Sequence, residues 1–202
     1  MRTISANLFI SLDGVIQDPA DWHFPYFNDE MGAAVTSQMA DTMLLGRKTY
    51  DSFAGAWPQR EEAGGEDADF ARTIGDARKI VVSRQPLEFT WRNSELLQGD
   101  LVKAVTELKS EPGGRIAMSG SVSVVRRLLA AGLLDELHLL VHPIAVRKGE
   151  RLFDEGDTPI PLELVSSQTF TTGVLYLVYR PAAAVGEGSY DDAKAHLPQD
   201  VR

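Results

Sequence analysis

Three short segments join apolar runs to stretches of helical patterning, and each carries residue types suited to holding an anion. The first is Leu45-Gly46-Arg47-Lys48-Thr49, where glycine admits a ligand close to the backbone and two cations stand beside a helix start. The second is Val82-Ser83-Arg84, a hydroxyl and a guanidinium at a strand end. The third is Met118-Ser119-Gly120-Ser121-Val122, where the free N–H groups of a starting helix can take a pyrophosphate. A single glycine at such a junction serves only the turn. Three junctions in one chain, two of them with cations, point to a dinucleotide. The chain has neither a G-x-G-x-x-G fingerprint nor a Walker A sequence, so a nucleotide site here must be of another design.

The elements that must position these junctions can be read from periodicity. Ile4, Ala6, Leu8, Ile10 and Leu12 alternate with mostly polar neighbours and predict a strand, broken by Asp13-Gly14. An aromatic loop, Trp22 to Phe27, precedes a helix capped by Asn28 or Asp29 and running to about Met39. Thr42 to Leu45 predicts a short strand, Lys48 to Phe53 a short helix, and Pro58 to Glu66 an exposed loop. Asp67 to Ile74 predicts a helix and Lys79 to Ser83 a buried strand. Leu101, Ala104, Val105 and Leu108 mark an amphipathic helix. Arg115 to Met118 and Glu136 to Val141 predict strands, with a helix between them stopped by Gly132. Leu162 to Gln168 and Val174 to Tyr179 flank Thr171-Thr172-Gly173 as an antiparallel hairpin. Strands alternating with helices, then a hairpin, indicate an α/β sandwich with a mainly parallel sheet covered on both faces. Ligands of such sheets bind at the carboxyl ends of the strands.

Composition narrows the classes. Among 202 residues, 20 basic and 29 acidic side chains give a net charge of −9, with 44% apolar and 24% charged residues. That balance fits a globular domain and argues against nucleic acid as the main partner, which would require a basic surface. No stretch reaches the roughly 18 uncharged apolar residues of a membrane span. The start, Met1-Arg2-Thr3-Ile4-Ser5, shows no cleavable signal, so a cytoplasmic protein without membrane partners is expected. The absence of cysteine removes disulfides, thiolate metal sites and a cysteine nucleophile. His138 and His142, four apart on a strand, would stand about 13 Å apart, too far for one metal.

The segments SLDGVI (Ser11–Ile16), LLGRKTYDSF (Leu44–Phe53), KIVVSR (Lys79–Arg84) and GLLDELHLLVHPIAVRKGERLF (Gly132–Phe153) resemble the dihydrofolate-reductase-like superfamily. Within it the sequence is most similar to the reductase domain of riboflavin biosynthesis. The resemblance implies a three-layer α/β sandwich over residues 1–181, with a mostly parallel central sheet and a C-terminal antiparallel hairpin. A flexible tail is expected over 182–202. It also implies cofactor-phosphate contacts from Gly46, Arg47, Lys48 and Thr49, and contacts to the adenosine half from Ser83 and Arg84. Ser119, Gly120, Ser121 and Val122 would lie against the nicotinamide and pyrophosphate, with Ser119 standing where relatives have the first of two glycines. Ala6 and Ile16 match nicotinamide-pocket positions, although Ala6 also suits an ordinary core. Folate reductases of the superfamily hold a carboxylate on the first helix; counting back from Gly46 reaches Glu30, with Asp29 adjacent. Such a group can assist protonation of a heterocycle, or these acids simply favour the helix N-terminus.

The expected function is that of an NADPH-dependent oxidoreductase passing hydride to a small substrate, heterocycles among the candidates, with the 5-amino-6-(5-phosphoribosylamino)uracil reductase of riboflavin biosynthesis as the pattern it resembles. Dihydrofolate reduction and a non-catalytic nucleotide-binding module on the same fold are the alternatives. The resemblance further implies a homodimer through late strands, with Leu137 to Val141 as a candidate contact, although the same run suits an ordinary core strand better.

Overall fold

The computed structural model describes residues 1–153, 158–184 and 186–197. Alternation sets strand β1 (Ile4–Ser11): Ile4, Ala6, Leu8 and Ile10 share one buried face. Helix α1 (Asp29–Ser37) follows two 3-10 turns, Pro19–Asp21 and Phe24–Tyr26, and Asn28 closes its start by accepting the Met31 N–H at 3.0 Å. Strand β2 (Thr42–Gly46) runs directly into α2 (Arg47–Ala63), followed by α3 (Ala68–Asp76) and β3 (Arg78–Val82). Then come β4 (Ser94–Leu96), α4 (Leu101–Ser110), β5 (Ile116–Met118), α5 (Val122–Ala130) and β6 (Glu136–His142). The hairpin is β7 (Leu162–Thr169) and β8 (Leu175–Pro181).

The eight strands form one sheet in the order β4-β3-β2-β5-β1-β6-β8-β7. From β4 to β6 all neighbours are parallel, and β8 runs antiparallel to both β6 and β7. The α/β sandwich with a closing hairpin is therefore present. Helices α4 and α5 cover one face, where Leu101, Val105, Leu128 and Leu129 pack on Ile4, Leu44, Ile80 and Leu137. The opposite face carries two separate clusters. One joins Tyr50 of α2 and Ile74 of α3 to Met43, Leu45 and Val81; the other joins Met31 and Ala34 of α1 to Leu140 and Phe170. Sheet between these two clusters is left as the floor of a cleft. Among the described residues, no helix is long and apolar enough to cross a membrane.

Two expectations are corrected, and two elements are added. The segment Pro58 to Glu66 is helical as far as Ala63, with Pro58 inside α2, and the loop shrinks to the residues around Gly64 (φ +68°). Tertiary contacts override the polar, proline-bearing sequence: Trp57 packs on Phe70 at 5.1 Å, Arg60 stacks over Trp57, and Glu61 takes a two-pronged bond from Arg92 at 2.7 and 3.0 Å. Strand β6 is no surface for a partner, because it lies between β1 and β8 with Leu137 and Leu140 fully buried. The edge strand β4 and the short helix α6 (Tyr190–Lys194), closed by a capping box from Ser189 and Asp192, were not anticipated. Residue 185 and residues 198–202 of the expected tail lie outside the described residues.

One buried cation holds β3 to α3. Lys79 is fully buried, and its Nζ donates to the carbonyls of Ile74, Gly75 and Ala77 at 2.9, 2.8 and 2.7 Å beneath the Trp91 ring. Burial pushes this ammonium down to about 8, so it stays largely charged at pH 7. A methionine in its place leaves three carbonyls at a helix end without donors. Lys79→Met is expected to lose about 2–4 kcal/mol of unfolding free energy in urea titrations, with an unchanged m-value.

Candidate functional site

Adjacent parallel strands β2 and β5 release their helices side by side. Neither α2 nor α5 has a side chain capping its N-terminus or an acid in its first turn, whereas α1 and α4 are closed by Asn28 and Asp100. The two open helix starts leave unpaired N–H groups and uncompensated positive dipole ends. Ser121 stitches them together. Its Oγ accepts the Gly46 N–H at 2.6 Å and shares a hydrogen bond with Thr49 Oγ1 at 2.8 Å. To do so Ser121 takes a left-handed conformation (φ +67°) that is uncommon for a residue with a side chain, after Gly120 at φ +94°. The loop after β3 joins through Gln85, whose Oε1 accepts from Arg47 Nη1 at 3.2 Å, while Ser83 Oγ donates to the Gln85 carbonyl at 2.8 Å. Gln85 was missed from sequence because only the strand-end hydroxyl and guanidinium before it have an obvious use.

All three junctions line one cleft of about 1680 Å³. Gly46, Arg47, Lys48, Thr49, Ser83, Arg84, Ser119, Gly120, Ser121 and Val122 all border it, as does Ile16. Ala6 does not. It is fully buried among the residues under α4 and α5, and its strand neighbours Asn7 and Phe9 face the cleft instead. Period-two alternation explains the difference, since a shift of one position moves a side chain to the other face. Arg147, in an exposed turn with φ +68°, gives its N–H to Asp13 Oδ2 at 2.9 Å, and Val146 N–H takes Asp13 Oδ1. Asp13 of the SLDGVI segment thus pins two loops together.

The expected catalytic carboxylates are placed elsewhere. Asp29 and Glu30 do not border the cleft. Glu30 accepts from the Thr171 N–H at 2.8 Å, from Thr171 Oγ1 at 2.6 Å and from Asn28 Nδ2 at 2.8 Å. The Thr171 hydroxyl and amide, then Asn28, hold this carboxyl below its ordinary range. Glu30 therefore ties α1 to the turn of the β7–β8 hairpin as a fixed anion. Asp29 is exposed beside it in the first turn. Among the described residues no group of three or more His, Asp or Glu side chains is placed to hold a metal ion. His138 bonds Tyr176 Oη and Glu136, and His142 bonds the Leu140 carbonyl.

A cleft residue the sequence did not single out is His23. It is 6% exposed, stacks on Phe9 with ring centroids 4.4 Å apart, and meets Phe24 at 4.2 Å and His142 at 6.0 Å. Burial, then the neighbouring His142, pushes its imidazole down to about 4. Its place inside an aromatic run was the available signal, obscured because the aromatics themselves are sufficient for packing.

Two outcomes follow from this geometry. A Cβ on Gly46 would stand 2.6 Å from Ser121 Oγ and 2.8 Å from Ser121 Cβ. Gly46→Ala is expected to cost about 1–3 kcal/mol of stability, and adding Ser121→Gly should recover much of it, a coupling visible in a double-mutant cycle of melting curves. For His23, native and unfolded states are both neutral above pH 6.5. As pH falls toward 4 the unfolded chain binds a proton that the native state refuses, so stability drops by up to about 1.4 kcal/mol per pH unit. Urea midpoints between pH 4 and 7 should show a slope shallower by about one proton in His23→Phe.

The RibD C-terminal domain profile matches residues 2–176. The chain is 29% identical over 181 residues to the uncharacterized protein YyaP of Bacillus subtilis (strain 168), covering 88% of this chain and 94% of that one. A putative riboflavin biosynthesis protein from Shewanella sp. PV-4 superposes with a TM-score of 0.67 at 19% identity, covering 90% of this chain and 99% of that one. For a pyrimidine reductase-like protein from Corynebacterium diphtheriae the values are 0.62, 16%, 91% and 93%. For dihydrofolate reductase from Enterococcus faecalis, complexed with NADP(H), they are 0.58, 16%, 89% and 96%. These structures share the dihydrofolate-reductase-like fold. With the profile spanning nearly the whole sequence, the chain belongs to the RibD C-terminal domain family.

Proposed function

We propose that this chain is an NADPH-dependent reductase that delivers hydride to a C=O or C=N carbon of a small planar substrate. The observation that carries the reading is the pair of uncapped helix starts meeting through Ser121 at the carboxyl edge of β2 and β5, with Arg47, Lys48 and Arg84 on the same cleft. This donor set fits a dinucleotide. Amides of the α2 and α5 starts suit the pyrophosphate, and the exposed Arg84 suits the extra phosphate on the adenosine ribose. Family membership and the NADP(H) complex of the Enterococcus relative support the same cofactor.

When bound, NADPH would supply the hydride. The chain's own part is to hold the phosphates at Gly46–Thr49 and Ser119–Val122 and to wall the transfer from water with Ile16 and Phe9. With Glu30 engaged by the hairpin and Asp29 away from the cleft, no first-helix carboxylate stands where it could serve as acid. A homodimer belongs to the reading too, through the edge strand β7, where Leu164 and Val165 are about half exposed.

Titration of nicotinamide fluorescence should give a preference for NADPH over NADH of about tenfold or more, equivalent to ~1.4 kcal/mol. Arg84→Ala should erase most of that preference while leaving NADH affinity unchanged. Equal affinity of the wild-type chain for both cofactors would remove the 2′-phosphate assignment.

A further inference from the structure

Three side chains along the α1 half of the cleft carry a polar atom that is buried and has no hydrogen-bond partner in the protein: Asn7 Oδ1, His23 Nδ1 and Gln38 Oε1. Buried polar atoms are satisfied as a rule, so three orphans along one wall mark where the groups of a ligand belong. Two of the three are carbonyl oxygens. Gln38 is held this way round, because its amide nitrogen donates to Ser37 Oγ and Tyr176 Oη, each at 3.3 Å. A carbonyl oxygen only accepts, so the ligand must bring N–H or O–H donors.

The charge of this wall has one sign. Between Arg2 and Arg47 the sequence has no lysine or arginine and six carboxylates, of which Asp18 and Asp21 border the cleft. Every cation on the cleft comes from Arg47 onward, and of these Arg47, Arg60 and Arg127 are already paired with Asp51, Asp67 and Asp100. Arg115 reaches the C-terminal end of α1, but its Nη2 donates to the Ser37 and Met39 carbonyls and the residue does not border the cleft. The α1 N-terminus offers nothing to an anion either, being closed by Asn28 with Asp29 and Glu30 in its first turn. A phosphate on this side would face carboxylates and carbonyl oxygens without a counter-charge. The remaining surface is flat and aromatic: Phe24 and Phe27, 60% and 47% exposed, border the cleft beside the stacked Phe9–His23 pair.

We propose that the α1 half of the cleft selects an uncharged planar ring bearing N–H or O–H donors and rejects anionic, including phosphorylated, forms of the same ring, with Asn7, His23 and Gln38 as the specificity-determining residues. This names the substrate class of the reductase described above and rests on that reading, but its recognition chemistry does not require turnover. It also separates this chain from the phosphoribosyl substrate that the sequence resemblance suggested.

The test is a fluorescence titration of the full chain at pH 7, saturated with NADP+, using lumazine and 6-carboxylumazine, one ring without and with an anionic group. Lumazine should bind about tenfold tighter or more. Asp21→Lys should narrow that gap by strengthening the carboxylated ring. Asn7→Leu and His23→Leu should each weaken lumazine about tenfold while NADP+ affinity and the circular dichroism spectrum stay as in wild type. If His23→Leu does not fold, Asn7→Leu and Gln38→Leu give the same reading. Equal or tighter binding of the carboxylated ring, undiminished lumazine binding in Asn7→Leu, or no lumazine binding by a chain that binds NADP+ would each overturn the proposal. Lumazine binding retained by a chain that binds neither NADP+ nor NADPH would overturn the reductase reading and leave the ring site standing.

Discussion

The bond from the Gly46 amide to the Ser121 hydroxyl, across 75 positions of sequence, is the constraint on which the cleft depends. It exists because β2 and β5 are neighbours in a parallel sheet, so both strands end at the same edge and both helices begin there. Once the helix starts are this close, the residues between them are no longer free. Gly46 has no room for a Cβ, Gly120 must turn at positive φ beside Thr49, and Ser121 takes a strained backbone to reach both partners. The strain is offset by two short hydrogen bonds, and the result is a pair of positive helix ends fixed side by side.

That edge also organises the opposite wall. Helix α1 packs over β1 and β6 through Met31, Ala34 and Leu140, separated from the cluster under α2 and α3. The gap exposes β1 at Asn7, Leu8 and Phe9, with the odd-numbered side chains Asn7 and Phe9 on the face away from α4 and α5, whereas Ala6 stays buried beneath those helices. Glu30 anchors α1 to the hairpin turn at Thr171, and its carboxylate thereby has a structural role away from the cleft.

Much of this was legible in the sequence because it rests on local signals. The strand β1, the helices α4 and α5 and the hairpin follow from periodicity and turn residues, and the three anion-binding junctions from glycine, hydroxyl and cation placement. What escaped depended on contacts between distant segments. The polar second half of α2 reads as a loop until Trp57 and Phe70 are seen to pack. Glu30 fits a catalytic spacing until Thr171, 141 positions away, is seen to donate two hydrogen bonds to its Oε2 and stabilise its charge. His23 is one more ring in an aromatic run until burial shows that its nitrogen is orphaned.

A net charge of −9 is a poor start for binding a polyanion, and the distribution of charge resolves the difficulty. On the side built from residues 46–127 the cations Arg47, Lys48, Arg60, Arg84 and Arg127 outnumber Glu66, Asp67 and Asp100 and join two open helix ends, while the side built before Arg47 presents Asp18, Asp21 and carbonyl oxygens with no cation. The two walls of one cleft are thus opposite in sign. For the dinucleotide proposed above, this asymmetry favours one orientation, with its phosphates against α2 and α5 and its nicotinamide end directed toward α1. The same asymmetry would oppose a second anion on the α1 side, because the field that would orient the proposed cofactor also acts there. Orientation of one ligand and selection of the other are therefore a single electrostatic property of the fold.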